Sequence, residues 1–526
     1  MIRRTAKIVG RSDVVVVGGG VNGLVTATLL ARAGMKTIVL ERGERVGGGA
    51  LLSHTAALDP ALVRSLGLAR HGLRILRPAA DVCAPTEDGR ALILWNDAAR
   101  ASASIRGFSA KDAEQYPRFL RTFAKVSAVL RALAASPPPS IDDPTAGDVI
   151  ELLKTGRAFR ALGKADAYRL LRWMPMAVAD LASEWFESEP LRATIGAGGV
   201  LGSFLGPRSA GSAAVLLMLG AGEGRPVASG WFAVGGPGAL AGALEAAARQ
   251  AGVEIRTGAE VARIDAADGA ATGVTLATGD TIAARAVVSN ADPKRTLLGL
   301  LDPMHLDPEV VRRVQNIRAH GTLATIAYTV SSLPRFNGVE TLHGAERTAA
   351  LSGRIRLARD VDGIERAFDA AKYGGFAQEP WVELTIPSIA EPSLAPPGRH
   401  VVSAYVQYAP YRLRGTTWDV ERNRLEAAAT RTIAQYAPGF ESSIVARTVI
   451  TPLDLERTYG LTGGHIFHGE LSLDQWFVTR PLLGWARYRT PIDRLYLCGS
   501  GTHPGTGLDG RSGTLAAREI LKTIKD

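Results

Sequence analysis

Three glycines and one acid near the start of the chain have the types and spacing to hold an anionic ligand. Gly18, Gly20 and Gly23 form G-x-G-x-x-G in "DVVVVGGGVNGLVTATLLARAGMKTIVLER", and Glu41 follows close to the spacing of roughly 20 residues at which a ribose-binding acid is expected. The first glycine permits a tight turn, the second lets a pyrophosphate approach the backbone, and the third lets helix and strand pack closely. An acid at the next strand end suits ribose hydroxyls and disfavours a 2′-phosphate, which argues against NADP. The chemistry this implies is dinucleotide binding.

The elements needed to position these residues are present in order. Residues 14–17 are a β-branched apolar run, as expected of a strand buried on both faces of a parallel sheet. Residues 23–33 carry a helical pattern stopped by Gly34, and 37–40 form a second buried strand, which makes a βαβ unit. The helix start would offer free amides and a positive dipole to phosphates. At the other end, "RLYLCGSGTHPGTGLDGRSGTLAAREIL" reads as a strand, a glycine loop and a final helix over 514–524, a second helix start able to face an anion.

Between these ends, Ser109 with Asp112 predicts a helix start, and Phe119, Phe123, Val126 and Leu130 fall on one face of that helix. Residues 136–144 are a Pro-rich connector, and 146–190 read as arginine-rich helices. Residues 56–96 give mixed signals. A helix over 236–252 precedes the strand "VEIRTG" and short strands with glycine turns up to residue 293, and 320–332 and 381–408 read as further strands.

Other chemistry is weakly represented. Cys83 and Cys498 cannot build a disulfide framework, no CxxC is present, and this suits a reducing, cytoplasmic setting. Cys498 reads as a small core residue. His465, His468, Glu470 and Asp474 lack a metal-binding spacing, so no metal is expected. A net charge of +10 over 526 residues raises nucleic acid or an anionic membrane as partners. No RNP, zinc-finger or clustered-arginine signature accompanies it, so no nucleic acid is expected. The start "MIRRTAKIVGR" has no apolar core of a secretory signal, and the apolar stretch 195–222 is broken by Pro207 and Arg208, so no membrane span is expected. Residues 152–176 carry Lys154, Arg157, Arg160, Lys164, Arg169 and Arg172 against Asp166. They read as the solvated face of a cap helix, with peripheral contact to an anionic membrane as the alternative.

Glu41 is followed by "RGERVGGG", and this E-x5-GG continuation resembles the FAD-binding signature of the glutathione-reductase-like flavoproteins. The resemblance implies that Arg42, Gly47, Gly48 and Gly49 line the cofactor and that the dinucleotide is FAD. The C-terminal stretch resembles the flavin motif of the phytoene desaturase and amine oxidase families. That likeness implies flavin contacts at Gly499, Ser500, Gly507, Leu508 and Gly510, and at Val261 in the middle segment. Ser500 stands where many relatives have an acid. By the same likeness His503 lies near the flavin, as a weak catalytic candidate against the alternative that it hydrogen-bonds the backbone.

Stretches such as "GGPGALAGALEAAARQAGVEI", "AVVSNADPKRTLL" and "GGHIFHGELSLDQWF" resemble one branch of the phytoene desaturase relatives, which includes pyridine nucleotide-disulfide oxidoreductase domain-containing protein 2 and bacterial counterparts. The segment "ALLSHTAALDPALVRSLGL" is shorter than in that branch, where it helps to wall the flavin pocket. The fold implied is α/β: a discontinuous glutathione-reductase-like Rossmann FAD domain (1–80, 225–300 and 490–526) with an inserted mixed α+β substrate domain (81–224 and 301–489).

The function expected from all this is FAD-dependent oxidation or desaturation of an apolar, lipophilic small molecule. A second G-x-G-x-x-G behind a strand is lacking, so the electron acceptor is expected to be oxygen, a quinone or a partner. One alternative is a flavin amine oxidase, to which an aromatic content of 6% lends no support. Another is an FAD-binding regulatory or scaffold protein with vestigial redox activity.

Overall fold

The computed structural model describes residues 8–47, 59–140, 144–227, 232–507 and 509–524. Five parallel strands form the heart of the first sheet, in the order Glu254–Arg256, Thr37–Leu40, Ile8–Val17, Thr281–Ser289, Leu495–Leu497. Ala270–Leu276 pairs antiparallel with the early part of Thr281–Ser289, and Val261–Ala267 extends that edge. The first strand is longer than its apolar run predicts, beginning at Ile8.

Period-two burial explains why this sheet needs cover on both sides. Val14 and Val16 pack into one apolar cluster with the helices Val21–Arg32, Gly236–Gln250 and Arg511–Thr523. Val15 and Val17 enter a second cluster on the opposite face, with Ile264, Val274 and Leu297. The register then aligns the strand ends: Val17 lies beside Leu40 and Ser289, and Ser289 beside Leu497. Gly18, Glu41, Asn290 and Cys498 therefore leave the sheet at one edge. That is where ligands bind in open parallel sheets.

The second sheet runs Ile444–Ile450, Leu323–Val330, His400–Gln407, Val382–Thr385, Arg354–Leu357, Ala80–Pro85, Ala91–Trp95. Its neighbours are antiparallel except for Arg354–Leu357 with Ala80–Pro85. The mixed signals of 56–96 thus conceal the last two strands of this sheet, the edge strand Ala91–Trp95 and its neighbour Ala80–Pro85. Buried within it, Glu383 accepts from Arg356 at 2.6 Å and from Arg354 at 3.1 Å, so the charges are paired where water is excluded.

Helices cover the second sheet. Ser109 accepts from the Asp112 amide at 3.1 Å and starts Ala110–Ala134, whose Phe119, Phe123, Val126 and Leu130 are buried. The Asp112 carboxylate does not return that bond. It accepts instead from the Glu187 and Ser188 amides, each at 2.9 Å, fastening a second helix start. Residues 152–176, expected as one basic helix, fold as two, Ala146–Ala161 and Gly163–Trp173. Gly163 makes the break with φ +74°.

Candidate functional site

The first glycine motif is built by close approach. A Cβ on Gly23 would stand 2.3 Å from the Gly18 carbonyl oxygen, so only glycine lets the helix Val21–Arg32 seat against the strand end. That helix has no side-chain cap and no acid in its first turn, which leaves its leading amides open to the cleft. Glu41 is fixed by two backbone amides, with Gly19 and Gly43 each donating at 2.8 Å. The carboxylate retains acceptor capacity beyond those bonds.

A cleft of about 640 Å³ opens over these strand ends, within the range of sites that enclose an organic ligand. Gly18, Gly20, Glu41, Arg42, Gly47, Val261 and Ser500 all line it. Gly23 lies behind, as packing. Gly499 is wedged under the Asn290 carbonyl, and Gly510 caps the final helix with φ +74°. The Gly507 carbonyl accepts from the Ser500 hydroxyl at 3.0 Å. Gly48, Gly49 and Leu508, and residues 50–58 of the segment after Gly49, lie outside the described residues.

The two ends of the chain meet through Asn22. Its amide nitrogen reaches the Ser500 hydroxyl at 3.3 Å, and its oxygen accepts from the Gly513 amide at 3.1 Å. A Cβ on Gly513 would stand 2.3 Å from the Asn22 carbonyl oxygen, so the first and last helices touch backbone to backbone. Ser500 is also held from the other side. Arg480, 1% exposed, donates to the carbonyls of Ser500 at 2.7 Å, Phe467 at 2.7 Å and Glu470 at 2.8 Å, and to Gln475 at 3.1 Å. Burial pushes its guanidinium down to about 10, so it stays charged at neutral pH.

Asn290, Asp292 and Arg295, to which sequence reasoning assigns no role, also line the cleft together with Leu323 and Thr325 of the second sheet. So does His468, whose segment the sequence reads as a structural loop beside the substrate cavity. A Cβ on Gly20 would approach Asn290 Nδ2 to 2.6 Å, so this amide sits against the glycine turn. Asp292 accepts from the Thr462 hydroxyl at 2.7 Å and the Arg295 amide at 2.9 Å. The signal available was positional: "SNADP" follows a buried strand, where the first polar residues reach the ligand edge.

His503 does not line the cleft. Its ring shares a 3.1 Å hydrogen bond with the Leu133 carbonyl, the backbone role that stood as the alternative to catalysis. Among the remaining acid and histidine candidates, His465 Nε2 lies 3.3 Å from Glu470 Oε1. Burial works against the Glu470 charge, yet His465 and the Phe204 amide hold its carboxyl below the usual range. Asp474 instead pairs with Arg318 at 2.6 Å. Among the described residues no group of three His, Cys, Asp or Glu is arranged to hold a metal ion. Both cysteines are buried, and burial pushes each thiol up to about 12.

Burial pushes both His468 and His503 down to about 4. Their folded values lie below the unfolded value near 6.5, so the unfolded chain binds more protons in between. Stability from these groups is present above about pH 6.5 and is lost as pH falls through about 4, by roughly 3 kcal/mol each. Burial also pushes Asp81 up to about 7, which acts in the opposite sense over the same range. In denaturant titrations from pH 7 to pH 4 the wild type should therefore lose more stability than His468→Gln with His503→Gln. An unchanged slope in the double variant would refute the assignment.

The parallel sheet, the glycine turn and the helix start behind it are the parts of a dinucleotide-binding fold. The sequence model for FAD dependent oxidoreductases matches residues 13–325, and the chain belongs to that family. The model for flavin containing amine oxidoreductases matches 195–521. Among its relatives is pyridine nucleotide-disulfide oxidoreductase domain-containing protein 2 of Rattus norvegicus, 35% identical over 98% of this chain and 94% of that protein. Phytoene desaturase (lycopene-forming) of Pseudescherichia vulneris is 28% identical over 94% and 96%. The structure of putrescine oxidase bound to putrescine shares the fold, with a TM-score of 0.56 at 15% identity over 97% of this chain and 99% of that one. The architecture is thus a discontinuous Rossmann-like FAD domain with an inserted α+β substrate domain.

Proposed function

We propose that the chain oxidises a carbon–hydrogen bond of a small organic molecule, and that the reaction is of the flavin amine oxidase type. The observation that carries this reading is the amine oxidoreductase match over 195–521, which takes in most of the second sheet and the C-terminal motif. It outweighs the compositional argument from few aromatics, and the desaturase expectation moves to second place.

The proposed roles follow the cleft. Gly18, Gly20 and the open amides at the start of Val21–Arg32 hold the pyrophosphate, Glu41 holds the ribose, and Arg42, Gly47 and Val261 wall the nucleotide, in a glutathione-reductase-like arrangement. Ser500, braced by Asn22 and Arg480, borders the flavin end. When bound, FAD supplies the hydride acceptor. The chain binds, orients and excludes water, and the substrate-domain strand Leu323–Val330 closes the cleft with Leu323 and Thr325.

One observation favours desaturation of an apolar molecule as the second reading. A cavity of about 270 Å³ is lined by Leu76, Phe232, Val234, Ile386, Leu394 and Ala327. Ala327 is two residues beyond Thr325 and so lies on the same sheet face. Anaerobic mixing of the purified flavoprotein with primary amines and with apolar alkenes separates the readings. Amines should bleach the flavin absorbance. Bleaching by alkenes with amines inert would reverse the order, and bleaching by neither would leave a flavin-holding scaffold.

A further inference from the structure

Away from the cleft, large apolar side chains are exposed mostly one at a time, which is ordinary for a protein surface. The helix pair Ala146–Ala161 and Gly163–Trp173 departs from this. On the first helix Val149, Leu152 and Leu153 share one outward face at i, i+3, i+4 spacing, with Leu153 68% exposed. On the second, Tyr168 and Leu171, 63% and 60% exposed, share a face with Lys164 and Arg172. Both helices pack on Ala110–Ala134, so these faces turn away from it.

Cations surround the apolar residues. Lys154, Arg157, Arg160, Lys164 and Arg172 are all exposed. Lys154 pairs with Glu151 and Arg172 with Glu184, while Asp166 is taken by Arg169 and Lys125. Arg157, Arg160 and Lys164 form no ion pair among the described residues. A solvated helix face has no use for outward leucines, and a buried one would not keep unpaired cations.

We propose that this helix pair is a docking surface for an anionic lipid bilayer. Leu152, Leu153, Tyr168 and Leu171 enter the headgroup region, and the unpaired cations meet lipid phosphates. Charge complementarity selects the lipid over a second copy of this chain, whose matching patch would present the same positive charge. No helix among the described residues is long and apolar enough to cross a membrane, so the contact made by these helices is peripheral. It stands whichever substrate the cleft takes.

Sedimentation of the flavoprotein with vesicles tests it, using phosphatidylcholine alone and mixed with phosphatidylglycerol. Bound protein should rise with phosphatidylglycerol and fall as salt shortens the screening length from about 10 Å at 0.1 M to about 3 Å at 1 M. The triple variant R157E/R160E/K164E should bind at least about a hundredfold more weakly, each surface cation being worth roughly fivefold. The variant L152S/L153S/L171S should also bind more weakly while keeping the salt dependence, and retained flavin absorbance reports its fold. No sedimentation with the mixed vesicles, equal sedimentation with both kinds, or undiminished binding by both variants overturns the proposal. So does self-association through this face, lost in the leucine variant, without vesicle binding.

Discussion

Gly23→Ala is expected to yield a protein that has lost most of its flavin. The added methyl would sit 2.3 Å from the Gly18 carbonyl oxygen, and a backbone atom cannot rotate away as a side chain can. Either the helix Val21–Arg32 lifts from the strand end or the glycine turn opens. Both move the amides that face the cleft. Overpacking of this kind costs about 1–3 kcal/mol, and if the loss falls on cofactor binding it weakens affinity by roughly tenfold or more. The control is Gly242→Ala, in the helix Gly236–Gln250 of the same domain, where an added Cβ meets nothing within 4 Å. There alanine should stabilise by up to about 1 kcal/mol and leave the flavin in place. Flavin absorbance per protein, read beside far-ultraviolet circular dichroism, decides the matter. Full flavin content in Gly23→Ala would contradict the packing account.

Arg480→Met should be among the most damaging single substitutions outside the glycine motif. The side chain is buried and donates to carbonyls of Phe467, Glu470, Gln475 and Ser500, bringing 467–475 and the loop around Ser500 to one point. Methionine matches much of the volume and none of the donors. Each stranded carbonyl costs about 1–3 kcal/mol, and a loss of about 3–5 kcal/mol overall is expected. Lysine is no remedy, because an ammonium has three donors on a flexible stem and cannot reproduce the planar fork. A Cβ on Gly505 would stand 2.0 Å from Arg480 Nε, so the loop is moulded to the guanidinium. Arg480→Lys, the milder variant, should remain folded with a lowered melting temperature and weaker flavin retention. Wild-type melting and flavin content in both variants would show the carbonyl cluster to be incidental.

Local patterns were the part of this protein legible in its sequence. Residues 14–17 and 37–40 are apolar on both sides because the sheet is covered on both faces, and a run of that kind is visible without any partner. Glycine spacing and Glu41 are likewise contained in one βαβ unit, and the register places them at one sheet edge. What could not be read was every contact made across the chain. Asn22 looks like a helix residue between two glycines, yet its work is done on Ser500 and Gly513. Arg480 looks like one more surface arginine until the carbonyls around it are known. Asn290 and Asp292 carry no local sign of a role, because nothing in their own stretch says that the strand before them lies beside Ile8–Val17. The basic segment shows another limit of local reading. Its charge pattern implies one solvated helix, whereas the structure has two, divided at Gly163, with Leu152, Leu153 and Leu171 exposed beside the cations.

The cleft over the strand ends is expected to hold FAD. The most direct measurement is the flavin released from purified wild-type protein on denaturation, identified by chromatography and compared in amount with the polypeptide. The account predicts FAD, released in an amount equal to the folded chain and retained through buffer exchange beforehand. A colourless protein that takes up no FAD on reconstitution, or one that releases FMN instead, would contradict it.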